Sequence, residues 1–381
     1  MSENQQPSLK EIAQVFLRLG ITAFGGPAAH VAMMDDEIVQ KRQWMTRERL
    51  LDLLGVTNLI PGPNSTELAI SIGYDKGGWR GLIVAGSCFI FPAMAIVWIL
   101  AFLYSQYRTV PQADGLLYGI KPVIIAIVIQ ALWKLGKKAV KNWLTGLGAL
   151  SAVIGYFMGI DEIVVLLAVG LGVMLIQLRS NFNANGLWLP LSPLVAQTVV
   201  GNSINSPSPL NVFLFFLKVG CFLYGSGYVL LAFLERALVT QNQWLTSQEL
   251  LDAIAIGQFT PGPILTTATF IGYLLAGNMG AIMATLGIFL PSFILVLIIN
   301  PWVDKLRQSP VTSALLDGVN AGSVGLMVGV AFILGKESLF DIPTIIIGLG
   351  ALILLFRFQI NSIWLILGGG ALGFLLYNYE L

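Results

Sequence analysis

The chain has 381 residues, of which 56% are hydrophobic and only 11% charged, and its mean hydropathy is +0.80. A soluble domain carries roughly 25% charged residues, so there is too little polar surface here for a soluble globule. The net charge of +1 excludes a nucleic-acid polyanion binder, and one histidine, His30, with no Cys/His cluster leaves little from which to build a transition-metal site.

In chain order, the polar opening Met1 to Lys10 has no charged-then-apolar secretory pattern, so no cleaved signal is expected. Apolar runs near or above the roughly 20 residues that cross a bilayer follow at Gly81 to Tyr104, Gly115 to Leu135, Val212 to Leu234, Gly280 to Ile299 and Ala314 to Leu334. Shorter runs come as close pairs, Leu144 to Met158 with Ile163 to Leu178 and Thr344 to Phe358 with Ile363 to Tyr377, and read as tight hairpins. Cys88 and Cys221 lie inside apolar runs and read as packing residues rather than a disulfide.

The stretch Phe16 to Pro63 recurs 200 residues later, at Phe216 to Pro263, without a gap. Fifteen of the 48 paired positions are identical, among them Gly20, Gly25, Gln43, Trp44, Thr46, Asp52, Pro61, Gly62 and Pro63. Many are Gly, Pro, Trp or Asp, so shared apolarity does not explain the match. Such a duplication in a membrane is the usual mark of a secondary transporter, whose substrate site forms where the copies meet. The expected organisation is a tail at residues 1–10, a first repeat at 11–178, a linker at 179–210 and a second repeat at 211–378. The linker is rich in Asn, Ser and Pro, and Pro190 and Pro193 argue against an ordinary spanning helix within it.

Lys and Arg orient each half, because short loops rich in them stay cytoplasmic. Between Asp35 and Arg80 the first copy holds Lys41, Arg42, Arg47, Arg49, Lys76 and Arg80, while the matching stretch of the second holds only Arg236. Lys134, Lys137, Lys138 and Lys141 stand against a lone Lys336, and Arg108 against Lys305 and Arg307. Equivalent loops therefore face opposite sides. Basic residues flank Leu50 to Gly73 at both ends, so this segment is expected to dip in and return, broken at Pro61-Gly62-Pro63. The expected fold is an all-α polytopic membrane protein of two inverted-topology repeats, each with about five transmembrane helices plus a re-entrant broken helix. The alternative is six spans per copy with the linker crossing as a thirteenth.

Asn64, Ser65, Thr66 and Glu67 follow the first Pro-Gly-Pro, and Ile264, Leu265, Thr266 and Thr267 follow Gly262 and Pro263 in the second. A helix beginning at Pro63 or Pro263 presents unpaired amide hydrogens and the positive end of its dipole in mid-membrane, which is an anion site. The competing reading is a kink between packed helices. Arg18 and Lys218 share a repeat position and either serve an anion or snorkel to headgroups. Gly25 and Gly26, with Gly225, Ser226 and Gly227, form glycine-rich turns where backbone either approaches a ligand or allows tight packing. Lys121, inside an apolar run, is a candidate second cation. Glu67 would repel an anion unless protonated, which suggests proton coupling, against the alternative of a helix-capping acid. Asp52 and Asp252 read as hairpin structure, and Trp44 and Trp244 as an interface belt.

Phe24-Gly25-Gly26-Pro27 with His30 and Trp44, then Pro61 to Glu67, Ile72-Gly73-Tyr74 and Phe91-Pro92-Ala93, resemble the signature of the chromate ion transporter family. The second copy, with Pro261-Gly262-Pro263, Ile271-Gly272-Tyr273 and Leu290-Pro291-Ser292, resembles the second domain of its long, two-domain members. The resemblance implies export of chromate from the bacterial cytoplasm across the inner membrane, driven by the proton motive force, and chromate resistance. It also implies that sulfate, an isosteric dianion, competes or is carried. No cofactor is expected, and the partners are the oxyanion and membrane lipid, with a homodimer left open. A sulfate or other oxyanion carrier with incidental chromate transport is the alternative. A membrane oxidoreductase is the remote one, lacking any nucleotide fingerprint, Cys-x-x-Cys pair or haem-type ligands.

Overall fold

Backbone polar groups in lipid have no water to bind, so a spanning chain must satisfy them within helices, and all regular structure among the described residues is helical. The computed structural model describes residues 7–24, 26–57, 60–107, 111–181, 207–224, 227–300 and 310–380. Five helices among them are long and apolar enough to cross a bilayer.

The first copy opens with α1 (Leu9–Thr22), started by a capping box between Ser8 and Glu11. It ends at Ala23 in extended backbone. The chain resumes as α2 (Pro27–Met34), with Gly26 at φ +81 before it and Pro27 in the first turn, where the missing amide hydrogen costs nothing. A π-helical turn (Asp35–Lys41) continues α2. Gln43 then takes a left-handed φ of 52 so that the Trp44 N–H can close on the Ile38 carbonyl at 2.9 Å. Thr46 Oγ accepts from Arg49 N–H and starts α3 (Arg47–Thr57).

Next comes α4 (Ser65–Tyr107), which is two helices rather than one, because Gly77 and Gly78 leave helical geometry, Gly78 at φ 57. The chain folds back there so tightly that Gly73 and Gly81 meet backbone to backbone, and a Cβ on either would overlap the other's carbonyl. The long arm, residues 79–107, is followed by α5 (Pro111–Ala139), α6 (Trp143–Phe157) and α7 (Glu162–Asn181).

The second copy repeats this plan. It runs α8 (Pro209–Phe222), a 3-10 turn, α9 (Leu230–Leu234), a π-helical turn (Glu235–Gln241), α10 (Ser247–Phe259) and α11 (Thr267–Ile299). Then follow α12 (Pro310–Ser338), α13 (Ile342–Arg357) and α14 (Ser362–Glu380). Two of the identities noted between the copies are residues this geometry needs, Gln243 repeating the left-handed turn at φ 51 and Thr246 the helix cap, and beyond the aligned stretch Gly277 repeats the fold-back at φ 61.

The segment expected to dip in and return does fold back on itself. Arg49, near the start of α3, holds Asp75, near the end of the short arm of α4, at 2.9 Å, so the two helices form a hairpin with Pro61-Gly62-Pro63 at its tip. The 11 residues of α3 are about 16 Å long, roughly half of a 30 Å hydrocarbon core. The structure departs from expectation one element earlier. The run Val212 to Leu234 is not one helix, since α8 stops at Phe222, and α1 stops at Thr22 in the same way. In each copy this first run is thus two short helices, the first of which packs on the long helix α4 or α11. In the first copy Gly26, at φ 81, lies at this break, a conformation glycine adopts without strain.

The copies interlock. α5 packs on α14 and α13, and α12 packs on α7 and α6. Gly119 meets Gly369, and Gly318 meets Gly170, the same pair of repeat positions exchanged. The long arms of α4 and α11 hold equivalent places yet run antiparallel, since Gly86 abuts Phe293 while Trp98 Nε1 donates to Asn278 at 3.0 Å. Exposed apolar side chains such as Phe91, Ile99, Phe332, Ile346 and Trp364 cover the outside, which suits lipid rather than water. Cys88 is partly buried but Cys221 is exposed, so Cys221 is not the packing residue expected.

Candidate functional site

Four chain breaks meet at one place. Gly62 N–H donates to the Leu223 carbonyl at 2.6 Å, and Gly262 N–H donates to the Ala23 carbonyl at 2.8 Å. Each Pro-Gly-Pro tip thus bonds the first break of the other copy, at equivalent positions. Such an exchange is what a two-fold relation produces. Gly62 and Gly262 have φ of 140 and 87, a region L-residues avoid, which explains why both copies hold glycine there.

Around the first tip, Asn64 takes φ 60 and the short arm of α4 starts at Ser65. His30 ties the two first-copy breaks together, its Nε2 3.1 Å from the Ala23 carbonyl and its Nδ1 3.3 Å from Ser65 Oγ. A carbonyl only accepts, so Nε2 carries the proton. Glu67 is fully buried and folds back over the tip, where a Cβ at Gly62 would overlap its carboxyl group. Ser292 Oγ, from the second copy, donates to Glu67 Oε1 at 2.6 Å, and the backbone amides of Asn64 and Glu67 face the same carboxyl. Glu67 Oε2 and Thr66 Oγ1 are buried without a partner.

The second tip differs. The second copy reaches its Ile-Gly-Tyr one residue sooner, and its first turn, Ile264–Thr266, is 3-10. A 3-10 turn rises about 0.5 Å more per residue than an α-helix, so three such residues recover about one α-helical rise. Thr266 Oγ1 donates to the Pro263 carbonyl and Thr267 Oγ1 to the Ile264 carbonyl, each at 2.8 Å.

Of the residues singled out in the sequence, Gly62, Pro63, Asn64, Ser65, Thr66, Glu67, Gly262, Pro263 and Thr266 come together here. Gly26 lies at the N-cap of α2 with open space beside it. Gly25, Gly225 and Ser226 lie outside the described residues. Arg18 is largely exposed and pairs with Glu37 at 3.9 Å, while Lys218 pairs with Asp161 at 3.8 Å. Lys121 is partly buried on α5. Asp252 is buried on α10 and accepts from Tyr104 at 2.7 Å. Sequence reasoning missed Ser292 and the role of His30. The paired Phe-Pro-Ala and Leu-Pro-Ser motifs were the available signal for Ser292. Among the described residues no group of three or more His, Cys, Asp or Glu converges on a metal-sized space. A cavity of about 410 Å³ lies on the outer face of α4, lined by Phe91, Met94, Trp98, Ile99 and Phe102 with Asn278, too apolar to hold a dianion.

The sequence profile of the family described as Chromate transporter matches residues 10–175 and 210–374. The chain belongs to the chromate transporter family. It is 33% identical over 355 residues to a probable chromate transport protein of Synechococcus elongatus, across 91% of this chain and 89% of that one. It is 32% identical to a chromate transport protein of Cupriavidus metallidurans, across 96% and 92%, and 29% identical to one of Pseudomonas aeruginosa, across 95% and 91%. No solved structure matches. A chromate transporter of this kind is a multi-pass membrane protein with an oxyanion substrate.

Proposed function

We propose that this protein exports chromate from a bacterial cytoplasm across the plasma membrane, powered by the proton motive force, and so confers chromate resistance. The observation that carries the reading is the Glu67 carboxyl group. It is fully buried, sits over the first tip against the amides of a helix N-terminus, and leaves Oε2 unsatisfied beside Thr66 Oγ1. An ionised carboxylate there holds the place an oxyanion would take and repels a dianion. Protonation removes the charge and turns Oε2 into a donor for the substrate. One proton and one dianion together carry a net charge of −1. The inside-negative membrane potential, the electrical part of the proton motive force, drives that charge outward by about 2.3 kcal/mol per 100 mV, against the smaller opposition of a pH gradient alkaline inside to the exported proton.

The two repeats, 11–178 and 211–378 joined by 179–210, are read as inverted. The antiparallel long arms of α4 and α11 and the opposite Lys/Arg content of equivalent loops support this.

Everted membrane vesicles from cells making the protein test the export reading. They should accumulate labelled chromate when energised and lose it when a protonophore is added. Accumulation that excess sulfate abolishes while labelled sulfate is carried faster would make chromate the incidental substrate, and no energised accumulation would contradict export.

A further inference from the structure

The duplicated frame suggests two equivalent oxyanion sites, but the chemistry at its two tips is unequal. We infer that only the first tip binds, so that one chain takes one tetrahedral dianion; this rests on the transport reading above. At the first tip, two buried polar atoms, Thr66 Oγ1 and Glu67 Oε2, have no partner, although both residues are fully buried. Buried polar groups are nearly always hydrogen-bonded, and an unsatisfied pair beside a 12-residue helix's N-terminus marks an absent partner. The Ser65 hydroxyl is held by His30 alone among the described contacts, a neutral partner that an oxyanion can replace.

Among the described residues, the hydroxyls of the second tip are not left open in this way. Thr266 and Thr267 turn their hydroxyls back onto the carbonyls of Pro263 and Ile264 in their own first turn. Ile264 and Leu265 stand where the first copy has Asn64 and Ser65. The Ile264 side chain fills the space over Gly227, where a Cβ would overlap it. The crossing contacts are unequal too. Ser292 reaches the first tip with a hydroxyl, whereas Ala93, at the equivalent position of the first copy, meets the second tip at Gly262 with a methyl group. An apolar plug and self-satisfied hydroxyls give a dianion nothing in exchange for its hydration. The second tip is the structural counterweight that holds Ala23 and so the frame of the first.

Equilibrium dialysis of the full chain in lipid nanodiscs, with labelled chromate and separately labelled sulfate, tests this. The expected result is one equivalent per chain. Thr66→Val should weaken binding about tenfold or more, as loss of a hydrogen bond to a charged group does, while Thr267→Val changes it less than twofold. Ser65→Ala serves in place of Thr66→Val if that variant unfolds on heating below the wild type. Two equivalents, or equal losses from Thr66→Val and Thr267→Val, would overturn the single-site inference while leaving transport standing. No saturable binding of either anion to the wild type would overturn the transport reading with it.

Discussion

At the residue scale, Gly62 and Ser292 decide where the Glu67 carboxyl sits. Gly62→Ala forces a side chain to φ 140 and into the carboxyl group, and such strain costs about 1–3 kcal/mol. It is expected to lower the unfolding temperature and to abolish chromate flux even in the folded fraction, both measurable on one reconstituted sample. Ser292→Ala removes the donor to Oε1 and leaves a second buried oxygen unsatisfied, at a cost of about 1–3 kcal/mol, whereas Ser292→Thr keeps the hydroxyl. Wild-type stability in Ser292→Ala would mean that the bond across the copies contributes nothing. The glycines, the prolines and Glu67 were legible because each is a local requirement of backbone or charge. Ser292 was not, since a hydroxyl 225 residues away has no local signature.

At the scale of elements, the turn between α6 and α7 is pinned by the π-helical turn of the second copy. Arg236 donates to the carbonyls of Gly159 and Ile160 and lies 3.1 Å from Glu162 as an ion pair, though not in line for a hydrogen bond. Tyr156 donates to Glu235 at 2.5 Å beside it. Removing one member of a buried charge pair costs about 3–5 kcal/mol, so Arg236→Ala should strongly destabilise the fold in thermal unfolding, while Asp36→Ala, at the exposed twin position, should not. The N-cap Asp341, in the turn before α13, is held differently. Burial alone would raise its carboxyl, but hydrogen bonds from Thr344 and Tyr118 outweigh it and keep it below the ordinary value. A depressed carboxylate stabilises above its unfolded pKa, and that contribution is lost as pH falls through the folded value. Asp341→Ala should cost about 1 kcal/mol at neutral pH and progressively less in acid. The long helices and the fold-back of α3 on the short arm of α4 were readable from apolar length and flanking cations. The breaks after α1 and α8 were not, because hydropathy averages across a four-residue turn, and the π-helical turns leave no periodicity of their own.

For the whole molecule, the duplication was plain in the sequence, but its interlocking was not, since which helix of one copy packs on which of the other depends on glycine contacts far apart in the chain. The inverted arrangement predicts that cysteines placed beside Arg47 and Lys138, in a chain with Cys88 and Cys221 replaced by serine, are reached by an impermeant thiol reagent from the cytoplasmic side. Those beside Gln248 and Lys336 should be reached from the other. Labelling of all four from one side would sink inversion. The central claim is that protonation of Glu67 admits the oxyanion, and the most direct measurement of it is labelled chromate efflux from proteoliposomes under imposed pH gradients of either sign, for the wild type and Glu67→Gln. The account predicts faster wild-type efflux when the chromate-loaded side is acidic. Glu67→Gln should bind chromate at least as tightly, yet with efflux indifferent to the gradient. A Glu67→Gln protein whose efflux follows the gradient as the wild type does would contradict the account and leave Glu67 as a helix cap.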